Sequence, residues 1–306
     1  MTAANPGTVA QYLDALREAL QGADPALVQD ALYDAEEHLR AEMTQHPDEA
    51  EAAVLERIVG SYGAPEEVAD AYRANEVRVQ AALRTPPPKP VQGGAIARFF
   101  GVYRDPRAYL ALLYMLLSLV TGIAYFTFAS VGASLSVGLA ILIIGVPFFL
   151  LFVGATRLVA LAEGRLVETM LGTRMPRRPV YPDRDAPFLR RVGDMLKDPR
   201  TWGTLVYFIL MLPLGLFYFI FAVVGICFSI AMLVMPILIL LYHMGVAGMG
   251  HIQIDGSMEL PHPAVLPFIS ILGLLLLTVT MHLARGIGYL HGQLAKTLLV
   301  QAQSSS

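Results

Sequence analysis

Apolar residues along this chain follow two regimes. Over the first 84 residues they recur every three or four positions among charged side chains; beyond residue 107 they run almost unbroken. The first regime predicts short amphipathic helices. Thr8 stands three residues before Gln11, a capping-box spacing, and Val9, Tyr12, Leu13, Leu16 and Leu20 follow as one face, ending at Gly22. Asp24-Pro25 opens a second helix with an N-cap carboxylate and a first-turn proline. Leu27, Val28, Leu32, Leu39 and Met43 form its apolar face, while Asp34, Glu36, Glu37 and Arg40 face water. Pro47-Asp48 opens a third through Val54, Leu55, Ile58 and Val59, closed by Gly60 or Gly63. Pro65-Glu66-Glu67 opens a fourth through Val68, Tyr72 and Val79, with acids at the positive end of the helix dipole.

The run from Arg84 to Pro90 holds four prolines and cannot continue a helix, so it reads as a stiff linker with a swivel at Gly93-Gly94. The boundaries expected are a helical domain over 1–84, a linker over 85–97 and a membrane domain over 98–306.

No Asp, Glu, Lys or Arg occurs from Ala108 to Thr156 or from Thr201 to Ile254. Each stretch is about twice the roughly 20 residues that one crossing needs. The two stretches are copies. At an offset of 93 residues Asp105-Pro106-Arg107 recurs as Asp198-Pro199-Arg200, Tyr114 as Tyr207, Gly122 as Gly215, Gly132 as Gly225 and Ser136 as Ser229. Further on the offset becomes 128, aligning Arg157 with Arg285 and Gly164 with Gly292, so the second copy holds an insertion between Leu240 and Gly273. The repeats expected are 98–172 and 190–300, each a helical hairpin followed by an amphipathic helix; these last carry Leu158, Leu161, Arg165, Leu166 and Glu168, and Leu283 to Leu298. A turn is expected at Val131–Val137. Ile226–Tyr242 is apolar enough to span, but Met235-Pro236 lies within it, and 226–244 is expected to be a re-entrant or broken helix, leaving four full crossings, with a full crossing there and five in all as the alternative. In the insertion, Asp255-Gly256 between alternating residues predicts a small outer β-hairpin.

Charge divides the chain again. Residues 1–90 hold 16 acids and 7 bases, and residues 91–306 hold 9 acids and 15 bases, which together give the formal net charge of −3. The segment Arg157–Arg200 carries 10 Lys+Arg, which by the positive-inside rule puts it, and the C-terminus, on the cytoplasmic side. The first residues lack a basic start followed by an apolar run, so the N-terminal domain is expected in the cytoplasm too. The two oppositely charged modules are expected to attract each other, less so in high salt. The acidic total argues against a nucleic-acid partner. The fold class expected is an all-α integral membrane protein with a soluble N-terminal helical domain.

Candidate chemistry is sparse. No phosphate-binding loop, His-Glu-x-x-His or Gly-x-Ser-x-Gly occurs, and Cys227 is the only cysteine. No catalytic residue and no cofactor is expected. The weak metal or pH-sensing candidates are His243, His251, Asp255, Glu259 and His262, whose spacing matches no ligand motif. Glu36-Glu37-His38 reads as a solvated face. Asp105, Arg107 and Tyr109, with Asp198, Arg200 and Trp202, read as membrane-interface anchors. Gly288 and Gly292 form a Gly-x-x-x-Gly pair suited to close helix packing.

YLDALREAL, DALYDAEEHL and RIVGSYGAPEEVADAYR resemble the HAAS signalling domain over about residues 8–80, a helical module of bacterial membrane proteins often encoded beside PadR-type regulators. DPRAYLALLY, GIAYF, LIIGVPFF, DPRTWGTLVYF, LPLGLFYF and LARGIGYLHGQLAKTLL resemble the bacterial Putative sensor domain found before histidine kinases, over roughly 98–300. The resemblances imply a non-enzymatic sensor in the bacterial cytoplasmic membrane, with lipids as surroundings, a PadR-type or similar cytoplasmic regulator as partner and homo-oligomers possible. The competing reading is an accessory subunit of a larger membrane complex.

Overall fold

A computed structural model of the chain describes residues 6–83, 94–142, 144–178, 193, 197–244 and 262–300. The described residues form helices α1 (Val9–Ala19), α2 (Pro25–Gln45), α3 (Glu51–Tyr62), α4 (Pro65–Leu83), α5 (Ala95–Phe100), α6 (Pro106–Leu139), α7 (Gly145–Leu166), α8 (Pro199–His243) and α9 (Leu266–Leu299). A 3-10 turn, Gly101–Arg104, precedes α6, and a π-helical turn, Val167–Leu171, prolongs α7.

Most local signals of the N-terminal domain act as read. Thr8 accepts from the Gln11 N–H at 3.2 Å, Asp24 from the Ala26 N–H at 2.9 Å with Pro25 beside it, and Gly22 leaves α1 with φ 77°. Gly63, at φ 113°, closes α3. Pro47-Asp48 does not open α3: the helix begins at Glu51 with Ala50 as an N-cap that offers no side chain. Tyr12, Leu16, Leu27, Val28, Leu39, Leu55 and Ile58 close a core among the four helices. The Tyr12 hydroxyl donates to the Gly63 carbonyl at 2.9 Å and ties the two ends of that core together. Desolvation pushes the Tyr12 phenol well above its ordinary pKa, so it stays a donor.

Four helices, Pro106–Leu139, Gly145–Leu171, Pro199–Leu241 and Leu266–Leu299, are long and apolar enough to cross a membrane. Their surfaces expose Val120, Phe217, Val224 and Phe228, apolar area far beyond what a water-soluble face carries. This is a multi-pass membrane protein.

Several expectations are corrected. The turn does not fall at Val131–Val137. The helix runs on to Leu139 because Gly132 and Ser136 serve packing: Phe152 of α7 fills the space a Gly132 side chain would need, and Ser136 Oγ donates back to the Gly132 carbonyl at 2.7 Å. α6 ends at Leu139 and α7 begins at Gly145. The segment 226–244 is neither re-entrant nor broken up to His243. It belongs to one 45-residue helix that contains Pro213 and Pro236, about 68 Å long. A proline removes a single N–H, and packing against neighbouring helices lets a long apolar helix absorb the loss. The amphipathic stretches 158–168 and 283–298 are the continuous ends of α7 and α9. The expected β-hairpin and the linker residues 84–93 lie outside the described residues, among which there is no strand.

The chain divides into two compact units, residues 1–85, 126–209 and 291–306 in one, residues 86–125 and 210–290 in the other. Within the second unit α6 and α8 run antiparallel. Ser118 Oγ reaches the Gly215 carbonyl at 3.4 Å, and Gly122 abuts the Met211 carbonyl. Met115, Tyr218, Ala222 and Ala284 complete the local core of this unit. Asp105 caps α6 through the Arg107 N–H at 3.0 Å and pairs with Arg285 at 2.8 Å. In the first unit Asp198 caps α8 through the Arg200 N–H at 3.0 Å and pairs with Arg157 at 3.3 Å.

Candidate functional site

The first unit brings the acidic domain against the end of α7. The π-helical turn closes at Gly172, whose φ of 71° suits a residue without Cβ. The strap that follows lies on two glycines: Met175 packs against Gly164, and Thr173 packs where Gly292 has no side chain. These glycines occupy matching positions in the two copies. Gly292 thus makes room for the strap, whereas the Gly-x-x-x-Gly reading had assigned it to helix–helix packing.

The strap aims Arg174 into a buried cluster. Its guanidinium meets Asp30 of α2 at 2.8 Å, Glu76 of α4 at 3.3 Å and Glu168 of the π turn at 3.3 Å, and it donates to the Met175 carbonyl. All four charged residues are more than nine-tenths buried. Asp30 also accepts from the backbone N–H groups of Arg177 and Arg178 at 2.7 and 2.8 Å. Desolvation raises the pKa of Asp30 above the ordinary carboxylate value even though these donors and Arg174 lower it. Burial works against the charge of Arg174, but Asp30, Glu76 and Glu168 outweigh it and hold its pKa above the ordinary arginine value.

Outer contacts flank the cluster. Arg178 pairs with Asp34 at 2.9 Å, and Lys296 of α9 with Asp24 at 2.5 Å. Gln29 donates to the Arg178 carbonyl at 2.7 Å and accepts from Arg200 at 3.3 Å. Asp34 also accepts from the Tyr72 hydroxyl at 3.0 Å, so it is a binding residue and not part of a solvated face. Burial, then Asp34 itself, drives the Tyr72 phenol far above its usual pKa and keeps that donor protonated.

A second polar set lies deeper. Glu163 of α7, Tyr207 of α8 and His291 of α9 are almost wholly buried, with the Tyr207 hydroxyl 2.7 Å from Glu163 and 3.0 Å from His291 Nε2. Reading 158–168 as a surface helix concealed Glu163. One signal in the sequence pointed to it: in the 128-residue frame Glu163 aligns with His291, each directly before a matched glycine.

Of the interface candidates, Tyr109 is exposed and donates to the Tyr103 carbonyl at 3.1 Å, and Trp202 is exposed on α8. Of the metal candidates, His251, Asp255, Glu259 and the side chain of His243 lie outside the described residues. His262 is exposed and accepts from the Ala264 N–H through Nδ1 at 3.3 Å. Among the described residues no group of three His, Cys, Asp or Glu is arranged to hold a metal ion. Of the Glu36-Glu37-His38 run, Glu36 pairs with Arg40 at 3.0 Å and His38 stacks on Tyr62.

Comparison with known families finds two matches in chain order. The HAAS family matches residues 11–71 and the Putative sensor family matches residues 114–299, with no kinase domain found. No curated protein and no solved structure matches the chain. The two domains together point to a sensor or signalling role.

Proposed function

We propose, from the premise that this chain belongs to the Putative sensor family and carries a HAAS domain ahead of it, that it is a non-enzymatic bacterial membrane sensor. Its membrane helices would register a change in the envelope or the bilayer, and the N-terminal domain would pass it to a separate cytoplasmic protein. The HAAS resemblance makes a PadR-type regulator the kind of partner to seek. The observation that carries this reading is Arg174. It joins α2 and α4 of the N-terminal domain to the last turn of α7 through three carboxylates. A shift of that turn moves Glu168 and Arg174, and the close-packed core of the domain transmits the displacement instead of absorbing it. The acidic domain contacts the Arg-rich segment, and such segments lie on the cytoplasmic side. This supports a cytoplasmic N-terminal domain in the inner membrane. The Lys296–Asp24 pair supports the same side for the C-terminus.

The test uses the full chain in lipid nanodiscs and follows amide exchange in α2. Removing one partner of a buried ion cluster costs about 3–5 kcal/mol, so Arg174→Ala is expected to raise exchange around Asp30 and to alter which cytoplasmic protein co-purifies. Unchanged exchange and an unchanged companion would sink the proposal.

A further inference from the structure

We infer that a cavity in the first unit, between Arg157 and Arg200, binds a phosphate-class oxyanion, and that Gln29 reports its occupation to the N-terminal domain. The inference rests on the sensor reading above and supplies it with a ligand class.

The cavity measures about 60 Å³, enough to admit a phosphate group. Two guanidiniums and one carboxylate, Asp198, line it, so its ionic lining has an excess of one positive charge. Asp198 is committed to capping α8 and to Arg157, the latter at 3.3 Å, long for a charge-assisted bond. Thr201 is more than nine-tenths buried, lines the cavity, and its hydroxyl has no hydrogen-bond partner among the described residues. A buried hydroxyl left without a partner costs free energy that an oxyanion accepting its hydrogen bond would recover. The donors present, guanidinium and hydroxyl, are those that recognise phosphate oxygens.

The place in the sequence fits the chemistry. Arg157 is the first charge after the apolar stretch 108–156, and Arg200 the last before the stretch 201–254. Two apolar segments thus reach their polar boundary at one cavity, the level at which phospholipid headgroups lie. Val153, Leu161, Met175 and Leu299 form its apolar wall, a surface on which a glycerol backbone or acyl chain can rest. Gln29 completes the lining, accepting from Arg200 while it donates to the Arg178 carbonyl four residues after Arg174. An oxyanion drawn to Arg200 competes with Gln29 Oε1 and so acts on the same junction that Arg174 holds.

The experiment measures lipid retained by the full chain, by native mass spectrometry, after release from nanodiscs of phosphatidylcholine alone or mixed with phosphatidylglycerol. A second arm adds inorganic phosphate, with chloride as control, to lipid-poor protein and follows thermal unfolding. Wild type is expected to prefer the anionic lipid by at least about ten-fold, and Arg200→Gln and Thr201→Val to lose that preference. Thermal unfolding in phosphatidylcholine checks that both variants fold, and Arg157→Gln repeats the test from the opposite wall. Protection by phosphate without lipid preference would identify the free ion as the ligand. Wild type showing neither effect, or folded variants that keep the preference, would overturn the inference. The readings fail separately. Exchange in α2 that responds to Arg174→Ala without any oxyanion binding leaves the sensor reading standing and removes only the ligand; binding with no response to Arg174→Ala does the reverse.

Discussion

Gly122 of α6 sets its bare Cα against the carbonyl oxygen of Met211 in α8, with no room for a Cβ between them. Four residues back, Ser118 lies against Gly215, where a Cβ on the glycine would strike the Ser118 carbonyl. In the 93-residue frame Met211 is the counterpart of Ser118 and Gly215 of Gly122. The contact is self-complementary, with each copy placing its glycine on the other copy's carbonyl. Gly122→Val and Gly215→Val should each destabilise the protein by about 1–3 kcal/mol through overpacking of backbone on backbone. Gly138→Ala, at a position with nothing within 4 Å, should not. Thermal unfolding in detergent distinguishes the two classes, and equal melting of all three variants would refute the close approach.

The same exchange governs the ion pairs. Arg157 of the first copy pairs with Asp198 of the second in one unit, and Arg285 of the second pairs with Asp105 of the first in the other. Each aspartate also caps its helix. Asp105 is the more buried of the two, so Asp105→Ala should cost more than Asp198→Ala, by about 1 kcal/mol on top of a cap loss of similar size. Double-mutant cycles with Arg285→Gln and Arg157→Gln should then return positive coupling at both ends. Additivity at either end would show that the pair there contributes nothing measurable.

Much of the local chemistry that acts within one turn was legible in the sequence, although Pro47-Asp48 was not the cap it resembled. Thr8, Asp24, Gly22 and Gly63 end or begin helices by short-range bonds and dihedrals, and they stand where the spacing put them. Gly132 and Ser136 misled because small residues mark turns and close helix contacts alike, and only the presence of Phe152 decides between these. Pro236 misled in the same way, since whether a proline breaks an apolar helix depends on what packs around it. The Arg174 cluster was out of reach. Its partners in the N-terminal domain lie 144 and 98 residues away, and no periodic pattern signals that Asp30 or Glu76 turns inward. Overall charge predicted the attraction of the two modules but not its centre.

Salt and pH should act unevenly on that attraction. Lys296–Asp24 and Arg178–Asp34 are partly exposed, so salt above about 0.5 M should loosen them within a Debye length of a few ångströms while the buried Arg174 cluster holds. Asp30 has a folded-state pKa raised by burial above its unfolded value. Its contribution is therefore complete below the ordinary carboxylate pKa and is lost as pH rises through the raised value. Acidification from pH 7 to 5 should not undock the domain on account of Asp30. Asp30→Asn, which keeps an acceptor for the Arg177 and Arg178 N–H groups, should be milder than Asp30→Ala. Amide exchange in α2 across salt and pH reads both; undocking at pH 5 that Asp30→Asn abolishes would contradict the sign.

The deepest polar set makes the last prediction. Tyr207 is shared by Glu163 and His291, matched positions on α7 and α9, so one hydroxyl bonds side chains from both copies. Tyr207→Phe keeps the ring that packs against Phe208 and His291 and removes only the oxygen. Its cost is that of a shared buried bond, about 1–3 kcal/mol. Glu163→Gln retains an acceptor for the Tyr207 hydroxyl and should cost less than Glu163→Leu, which takes that acceptor away. If the triad ties the helices together, Tyr207→Phe should also make Glu163→Leu cheaper than it is in the wild-type background, because the lost bond is counted once. Full additivity of those two changes in thermal unfolding would mean that the hydroxyl does not hold Glu163.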